Sequence, residues 1–381
     1  MKFSCFCFAA LLAGASAVLA QINTVQNVAT GVYFHEGDPR RGHSNNGWIV
    51  FDDFVLVIDA NYPSGAKIVM PQIAATTAKP VRFVFDTHHH GDHAYGNQLW
   101  AEGGATLVAS TRALEEMKQV ETGFFGSVPG RWEGAAKNRP DVAATKLKPP
   151  VMLFPKDLFL DDGQHRVELK WFGTGHTKGD AYAWLPKEKI LFTGDACVNG
   201  PHNNVNDGSI TEWIKTLDRV KQLGAEKVCP GHGPMGGPEI IADQQNYFVA
   251  LLAQAKADLV QAHLKSLFPA ATSFSAKEAL PLPHFKVFAA DAKGQPQLIG
   301  LAFYTTELEP LERGYDGPVK ILVGLDTKGL LAGVVVVQHV EPFGKFSVDT
   351  PRFAQQYKGK NIRDAFKPGE DIDAVSTATI T

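Results

Sequence analysis

The stretch "PVRFVFDTHHHGDH", residues 80–93, constrains this chain more than any other. Val81, Phe83 and Phe85 recur with the period of two expected of a strand, and the segment runs directly into four histidines and an aspartate. Three later strand-like segments end in the same kind of residue: His176 in "GTGHTKGD", Asp195 in "FTGDAC" and His232 in "CPGHGP". Glycine flanks each of them, which lets the backbone turn sharply and the side chains converge. A single loop histidine says little. Seven candidates at four strand ends (His88, His90, Asp92, His93, His176, Asp195 and His232) point to a metal site. Imidazole and carboxylate together suit zinc, and also iron or manganese. Alternation along the chain turns His89 away from its neighbours. Asp59, closing "VLVID", reads either as a carboxylate that fixes a histidine tautomer or as a turn residue. The other histidines read as structural or surface groups, with His43 in "RGHSNNGW" and His202 in "GPHNN" able to border a pocket.

Strands alternate with helices around these motifs. Residues 31–60 give three short strands, two of them joined at Asp52–Asp53, and Pro63 to Ala78 reads as a helix. Helices are also expected over Ala94–Glu102 and Arg112–Val120, with the strand "ATLVAS" between them. Residues 122–150 read as an irregular excursion, of a length that is usually functional or mobile. Strands "VMLFP", "HRVELKWFG", "DAYAWLP" and "KILFTGDACV" follow. Ser209 and Glu212 form a capping box, and Ile210, Trp213, Ile214, Leu217 and Val220 fall on one helix face. After "AEKVCPGHG" comes a long helix from Pro238 to about Phe268. This is an α/β layout with the chemistry at strand ends. The Pro-, Ser- and Ala-rich segment 268–285 reads as a linker to a second block of strands, in which "DTKG" joins the last two as a hairpin.

The N-terminus, with Lys2 ahead of an apolar run from Phe3 to Leu12 and small residues after it, reads as a secretory signal of residues 1–20. An uncleaved anchor is the alternative. No later segment approaches ~20 uninterrupted apolar residues, so no further span is expected. Removing the signal removes Cys5 and Cys7, and leaves Cys197 and Cys229 as expected buried thiols. A net charge of −3 and the lack of a basic run argue against a nucleic-acid partner.

The spacing H-x-H-x-D-H over His88, His90, Asp92 and His93, with His176, Asp195 and His232 following in order, resembles the metallo-β-lactamase-fold hydrolases across roughly residues 25–265. The resemblance implies a four-layer αββα sandwich. One metal would be held by His88, His90 and His176, a second by Asp92, His93 and His232, and Asp195 would bridge them. Two zinc ions are implied, though relatives that use one iron keep the same histidines. The implied chemistry is hydrolysis of an ester, thioester, lactone or amide of a small molecule by a metal-activated hydroxide, with Asp92 as the catalytic carboxylate. β-Lactamases of the family usually carry Cys or Ser where this chain has Asp195. Aspartate there is typical of glyoxalase-II-like thioesterases, lactonases and quinoprotein-associated secreted zinc hydrolases. Flavodiiron oxygen reductases have Glu at the position of His90, so His90 argues against di-iron redox chemistry.

The C-terminal "GYDGPVKILVGLDTKGLLAGVVVVQHVEP" with "DAVSTATIT" resembles FMN-binding domains of membrane redox complexes and nitrous-oxide-reductase regulatory flavoproteins. Those carry FMN on the threonine of D-x-x-[ST]-G-A-T. Asp373, Ser376, Ala378 and Thr379 match, Thr377 stands in place of the glycine, and Thr379 would carry the flavin. The domains expected are therefore a hydrolase over 21–267, a linker over 268–285 and a smaller α+β FMN-binding-like domain over 286–381. A periplasmic or secreted protein with a flavin transferase or redox partner is implied. The competing expectation is a metal- and flavin-dependent oxidoreductase using the same metal site.

Overall fold

The computed structural model describes residues 22–120, 130–200, 204–308, 317–341 and 344–373. The expected signal segment, His202, Ser376 and Thr379 lie outside them. The chain divides into two compact units after Ala250, within the helix Glu239–Leu267.

The first unit contains two sheets. One has seven strands in chain order: β1 (Val25–Ala29), β2 (Val32–His35), β3 (Asn46–Val50), β4 (Val55–Ile58), β5 (Val81–Asp86), β6 (Thr106–Ser110) and β7 (Met152–Phe154). Neighbours are antiparallel as far as β4 and parallel from β4 to β7. The other sheet comprises β8 (Asp157–Asp161), β9 (Arg166–Lys170), β10 (Tyr182–Leu185), β11 (Ile190–Gly194) and β12 (Lys227–Pro230), in the order β12-β11-β10-β9-β8. Only β11 and β12 run parallel within it.

Side-chain alternation builds the layers. In β4, Leu56 and Ile58 face a core shared with Val167, Leu169, Ala183, Leu185, Ile190 and Phe192 of the second sheet. Val55 and Val57 face the opposite way, against Ala66, Val69 and Ile73 of the helix Pro63–Thr76. Tyr182 and Trp184 of β10 likewise turn outward onto Trp213, Leu217 and Val220 of the helix Ile210–Lys221 and onto Phe248. Sheets covered on both faces need near-continuous apolar strands, which is why β4 reads Val-Leu-Val-Ile with every residue buried. The result is the expected four layers, helix, sheet, sheet, helix.

In the second unit, β13 (Ser273–Phe274), β14 (Phe285–Ala290), β15 (Pro296–Tyr304), β16 (Lys320–Asp326) and β17 (Leu331–Gln338) form an antiparallel meander. One sheet face packs on Leu264, Leu267 and Phe268. The ring of Phe268 sits so close to β15 and β16 that a Cβ on Gly300 or Gly324 would lie 2.6 or 2.9 Å from it. The hairpin β16–β17 turns at the predicted "DTKG", where Asp326 accepts backbone hydrogen bonds from Lys328 and Leu330.

Several local expectations need correction. The stretch 268–285 is not a free linker: Phe268, Ala271 and Phe285 are buried and β13 pairs with β14, so its loop-like composition hides apolar anchors. The excursion 122–150 contains two helices, Arg131–Asn138 and Pro140–Ala143. The expected helix over 94–102 is two, Gly91–Ala94 and Asn97–Glu102, because the Gly96 N–H turns to donate to the Asn61 carbonyl. The edge strand β8, half exposed along its length, carries too weak a pattern to be read in advance. Cys197 and Cys229 are free and buried, as expected, and burial pushes both thiols up. Among the described residues, no helix is long and apolar enough to cross a membrane.

Candidate metal centre

The C-terminal ends of β5, β11 and β12, with the loop after β9, bring the predicted residues together. His88, His90 and His176 offer ring nitrogens within 4.8 Å of one another, and Asp92, His93, Asp195 and His232 form a second such group. Asp195 spans the two: its carboxylate oxygens lie 3.2 Å from His93 Nε2, 3.5 Å from His232 Nε2 and 3.7 Å from His176 Nε2. Its carboxylate meets the loop of His232 so closely that a Cβ on Gly231 would lie 2.1 Å from Asp195 Oδ1.

Hydrogen bonds around the cluster decide which nitrogens point inward. Asp59 follows β4 with φ 64°, a left-handed conformation that Asp and Asn tolerate. Its Oδ1 accepts the Thr87 N–H at 2.8 Å, and its Oδ2 accepts from His93 Nδ1 at 2.8 Å and from the Thr87 hydroxyl at 3.1 Å. Thr87 Oγ1 in turn lies 3.2 Å from His88 Nδ1. One buried carboxylate thus fixes a histidine of each group, and the tautomer reading of Asp59 is the one the geometry supports. His90 donates Nε2–H to Asp207 at 2.8 Å, and His176 donates Nδ1–H to the Asn204 carbonyl at 2.8 Å. The inner nitrogens, His90 Nδ1 and His176 Nε2, then face each other at 2.8 Å, a meeting that either a shared proton or a cation satisfies. His88 Nε2 is buried with no hydrogen-bond partner. Three ring nitrogens that converge on one point while their outer nitrogens are bonded elsewhere fit a metal ion.

Against the effect of burial, the hydrogen bond to Asp207 and the carboxylates of Asp92 and Asp195 raise His90. Burial, joined by the neighbouring histidines, holds His88 well below its ordinary value, and burial brings His176 down to about 4, so both are neutral and able to ligate. Burial alone would raise the Asp92 carboxyl, but His93 and His232 bring it down to about 2. His93 and His232 are raised against the effect of burial by the surrounding carboxylates, Asp59 and Asp195 for the first and Asp195 and Asp92 for the second.

Supporting residues come from elsewhere in the chain. Asn45 donates from Nδ2 to the carbonyls of Pro230 and Gly233, clamping the His232 loop, and Ser44 Oγ donates to the Asp92 carbonyl. Trp213 places its ring 5.7 Å from that of His176 and donates its indole N–H to the Ala196 carbonyl. Asp207 also accepts two hydrogen bonds from Arg131, at 2.6 and 2.7 Å. No motif announces Asp207 or Arg131, and sequence reasoning missed both. His89 does turn away, towards Glu116 at 3.6 Å, although with His90 and Asp207 it makes a third close group. His43 is buried against the Ser64 hydroxyl at 2.9 Å and belongs to neither of the two main groups. Asp373 is exposed, with its N–H donated to Gln356 Oε1 and its carboxylate 3.5 Å from Arg352.

The sequence model of the Metallo-beta-lactamase superfamily matches residues 39–232, half of the chain, and includes all seven candidate residues. The chain belongs to this superfamily. A second model, the FMN-binding domain, matches residues 314–381. Among curated relatives, a metallo-beta-lactamase type 2 of Bacteroides fragilis is 41% identical over 80 residues, 20% of this chain and 32% of that one. A hydroxyacylglutathione hydrolase of Synechococcus sp. is 26% identical over 162 residues, 42% of this chain and 52% of that one. The chain thus spans about half or less of the length of these relatives. A solved metallo-beta-lactamase from Pontibacter korlensis covers 59% of this chain and 98% of its own, at 20% identity and a TM-score of 0.48.

For a member of the superfamily, Asp59 is the residue whose role the geometry makes most testable. In Asp59→Asn the oxygen should stay with the Thr87 N–H, leaving the amide NH₂ to face His93 Nδ1 and forcing the proton to Nε2. The expected result is a metal bound about 10- to 100-fold more weakly at the His93 group, read by competition with a chelator, with the circular dichroism of the fold unchanged.

Proposed function

We propose that this protein is an exported hydrolase that uses two zinc ions to cleave an ester, thioester, lactone or amide bond of a small molecule. In this reading His88, His90 and His176 hold one ion, Asp92, His93 and His232 the other, and Asp195 bridges. The observation that carries it is the convergence of seven donors, four of them histidines whose outer nitrogens are bonded away from the centre. Ions held there would polarise the scissile carbonyl and bring the pKa of a water between them to about 7. The chain's own part is orientation and proton handling. Asp92 is 23% exposed against 10% for Asp195, so Asp92 is the carboxylate that faces an incoming substrate, positions the attacking water and takes its proton. Asp59, Thr87, Asn204 and Asp207 hold the histidine tautomers while this happens. The third group does not compete in this reading, because Asp207 is already neutralised by Arg131 and serves as the acceptor for His90.

The FMN-binding domain adds a second part: FMN joined to Thr379 through its phosphate, within the motif of Asp373 and Ser376, after export and with the help of a flavin transferase. The leader-like N-terminus supports this, since flavin attachment to such domains goes with exported chains. The same FMN match favours the alternative, an oxidoreductase in which the metal centre and the flavin exchange electrons. His90 in the first metal group speaks for hydrolysis.

The hydrolase reading predicts about two zinc per chain and turnover of generic ester, thioester or lactone substrates, falling by about 10²–10⁴-fold in Asp92→Ala. His89→Ala should keep its metal content. A redox-active iron pair with oxygen or sulfur-compound turnover contradicts it. For the flavin, intact mass of the chain coexpressed with a flavin transferase should show one added FMN, absent in Thr379→Ala; an unmodified wild-type chain removes that part.

A further inference from the structure

The helix Arg131–Asn138 buries none of its residues, and none of them belongs to an apolar core of the first unit. An exposed eight-residue helix has little stability of its own, so side-chain anchors at its two ends must place it. At the first end, the Arg131 guanidinium grips Asp207 through two hydrogen bonds, and the next residue, Trp132, sets its ring 4.8 Å from that of Tyr95. Both anchors sit on the metal centre: Asp207 accepts from His90 Nε2, and Tyr95 lies two residues beyond His93. At the other end, Arg139 stacks over Tyr62 at 3.6 Å and donates to the Arg41 carbonyl, while Asp141 accepts from the Ser64 hydroxyl at 2.6 Å.

The asymmetry between the ends is informative. Asp207 precedes the cap residue Ser209 in a half-buried stretch, and its described side-chain partners are only Arg131 and His90. A half-buried carboxylate presents a defined plane to a histidine only where its other partner holds it. Arginine does this with a planar fork, which a lysine ammonium cannot reproduce. With Asp207 fixed, His90 turns Nε2–H outward and aims Nδ1 at the point where His176 Nε2 and His88 Nε2 converge.

We propose that Arg131 is a positioning residue for the metal centre: through Asp207 it sets the tautomer and orientation of His90, and so couples the 131–143 excursion to occupancy of the His88–His90–His176 site. This rests on reading those three histidines as a ligand set. The excursion is thereby part of the metal site's support.

The test uses the full chain and cobalt as the probe ion, with a competing chelator and the visible absorption of the bound metal as readouts. Arg131→Ala should loosen one of two cobalt ions by about 10- to 100-fold and shift its absorption, with partial recovery in Arg131→Lys. Arg139→Ala, which frees the other end of the same helices without touching Asp207, should bind cobalt as the wild type does. Wild-type affinity and absorption in Arg131→Ala overturn the proposal. So does an equal loss in Arg139→Ala, which would make the effect one of general packing. A wild-type chain that takes up no cobalt overturns the ligand-set reading itself, and is distinguishable from either result because it precedes any substitution.

Discussion

The metal centre depends on one buried carboxylate. Asp59 accepts from Thr87 and from His93, and through the Thr87 hydroxyl it also reaches His88, so a single side chain sets the proton positions of one histidine in each group. A histidine offers a lone pair on only one ring nitrogen when neutral, and which one is decided by the bond the other nitrogen makes. Removing that outer bond leaves the ring free to turn and to present N–H where a lone pair is needed. Asp207 and the Asn204 carbonyl do for His90 and His176 what Asp59 does for the other two.

That arrangement needs strands that deliver residues to one point, and the sandwich supplies them. β4 and β5 run parallel, as do β11 and β12, so Asp59, the His88 motif, Asp195 and His232 all leave their sheets at C-terminal ends. Burial of both faces of both sheets fixes the register, since a one-residue slip would exchange the core that faces the second sheet with the one that faces the helices. Placement of the ligands thus follows from packing that is remote from them. Trp213 shows the connection directly, since it packs on Phe248 in the outer core and on His176 at the site.

Much of this was legible in the sequence because the signals are local. The alternation before His88, the glycines beside His176, Asp195 and His232, and the capping box at Ser209 each sit within a few residues of what they determine. The seven residues could be named, and the structure brings them into two close groups, with Asp195, the expected bridge, in the second. What stayed hidden depends on partners distant in sequence. Asp207 meets His90 across 117 positions and Arg131 across 76, and neither distance leaves a trace in composition. Asp59 had two equal readings until Thr87 and His93 could be seen against it. The segment 268–285 misled because proline and serine dominate it, while the residues that decide its fate are the isolated Phe268, Ala271 and Phe285.

Anomalous scattering from crystals of the purified protein, recorded at the zinc and iron edges, tests the central claim most directly. The account predicts two zinc peaks about 3.5–4 Å apart, one among His88, His90 and His176 and one among Asp92, His93 and His232, with Asp195 touching both. A single peak, or a peak among His89, His90 and Asp207, would contradict it.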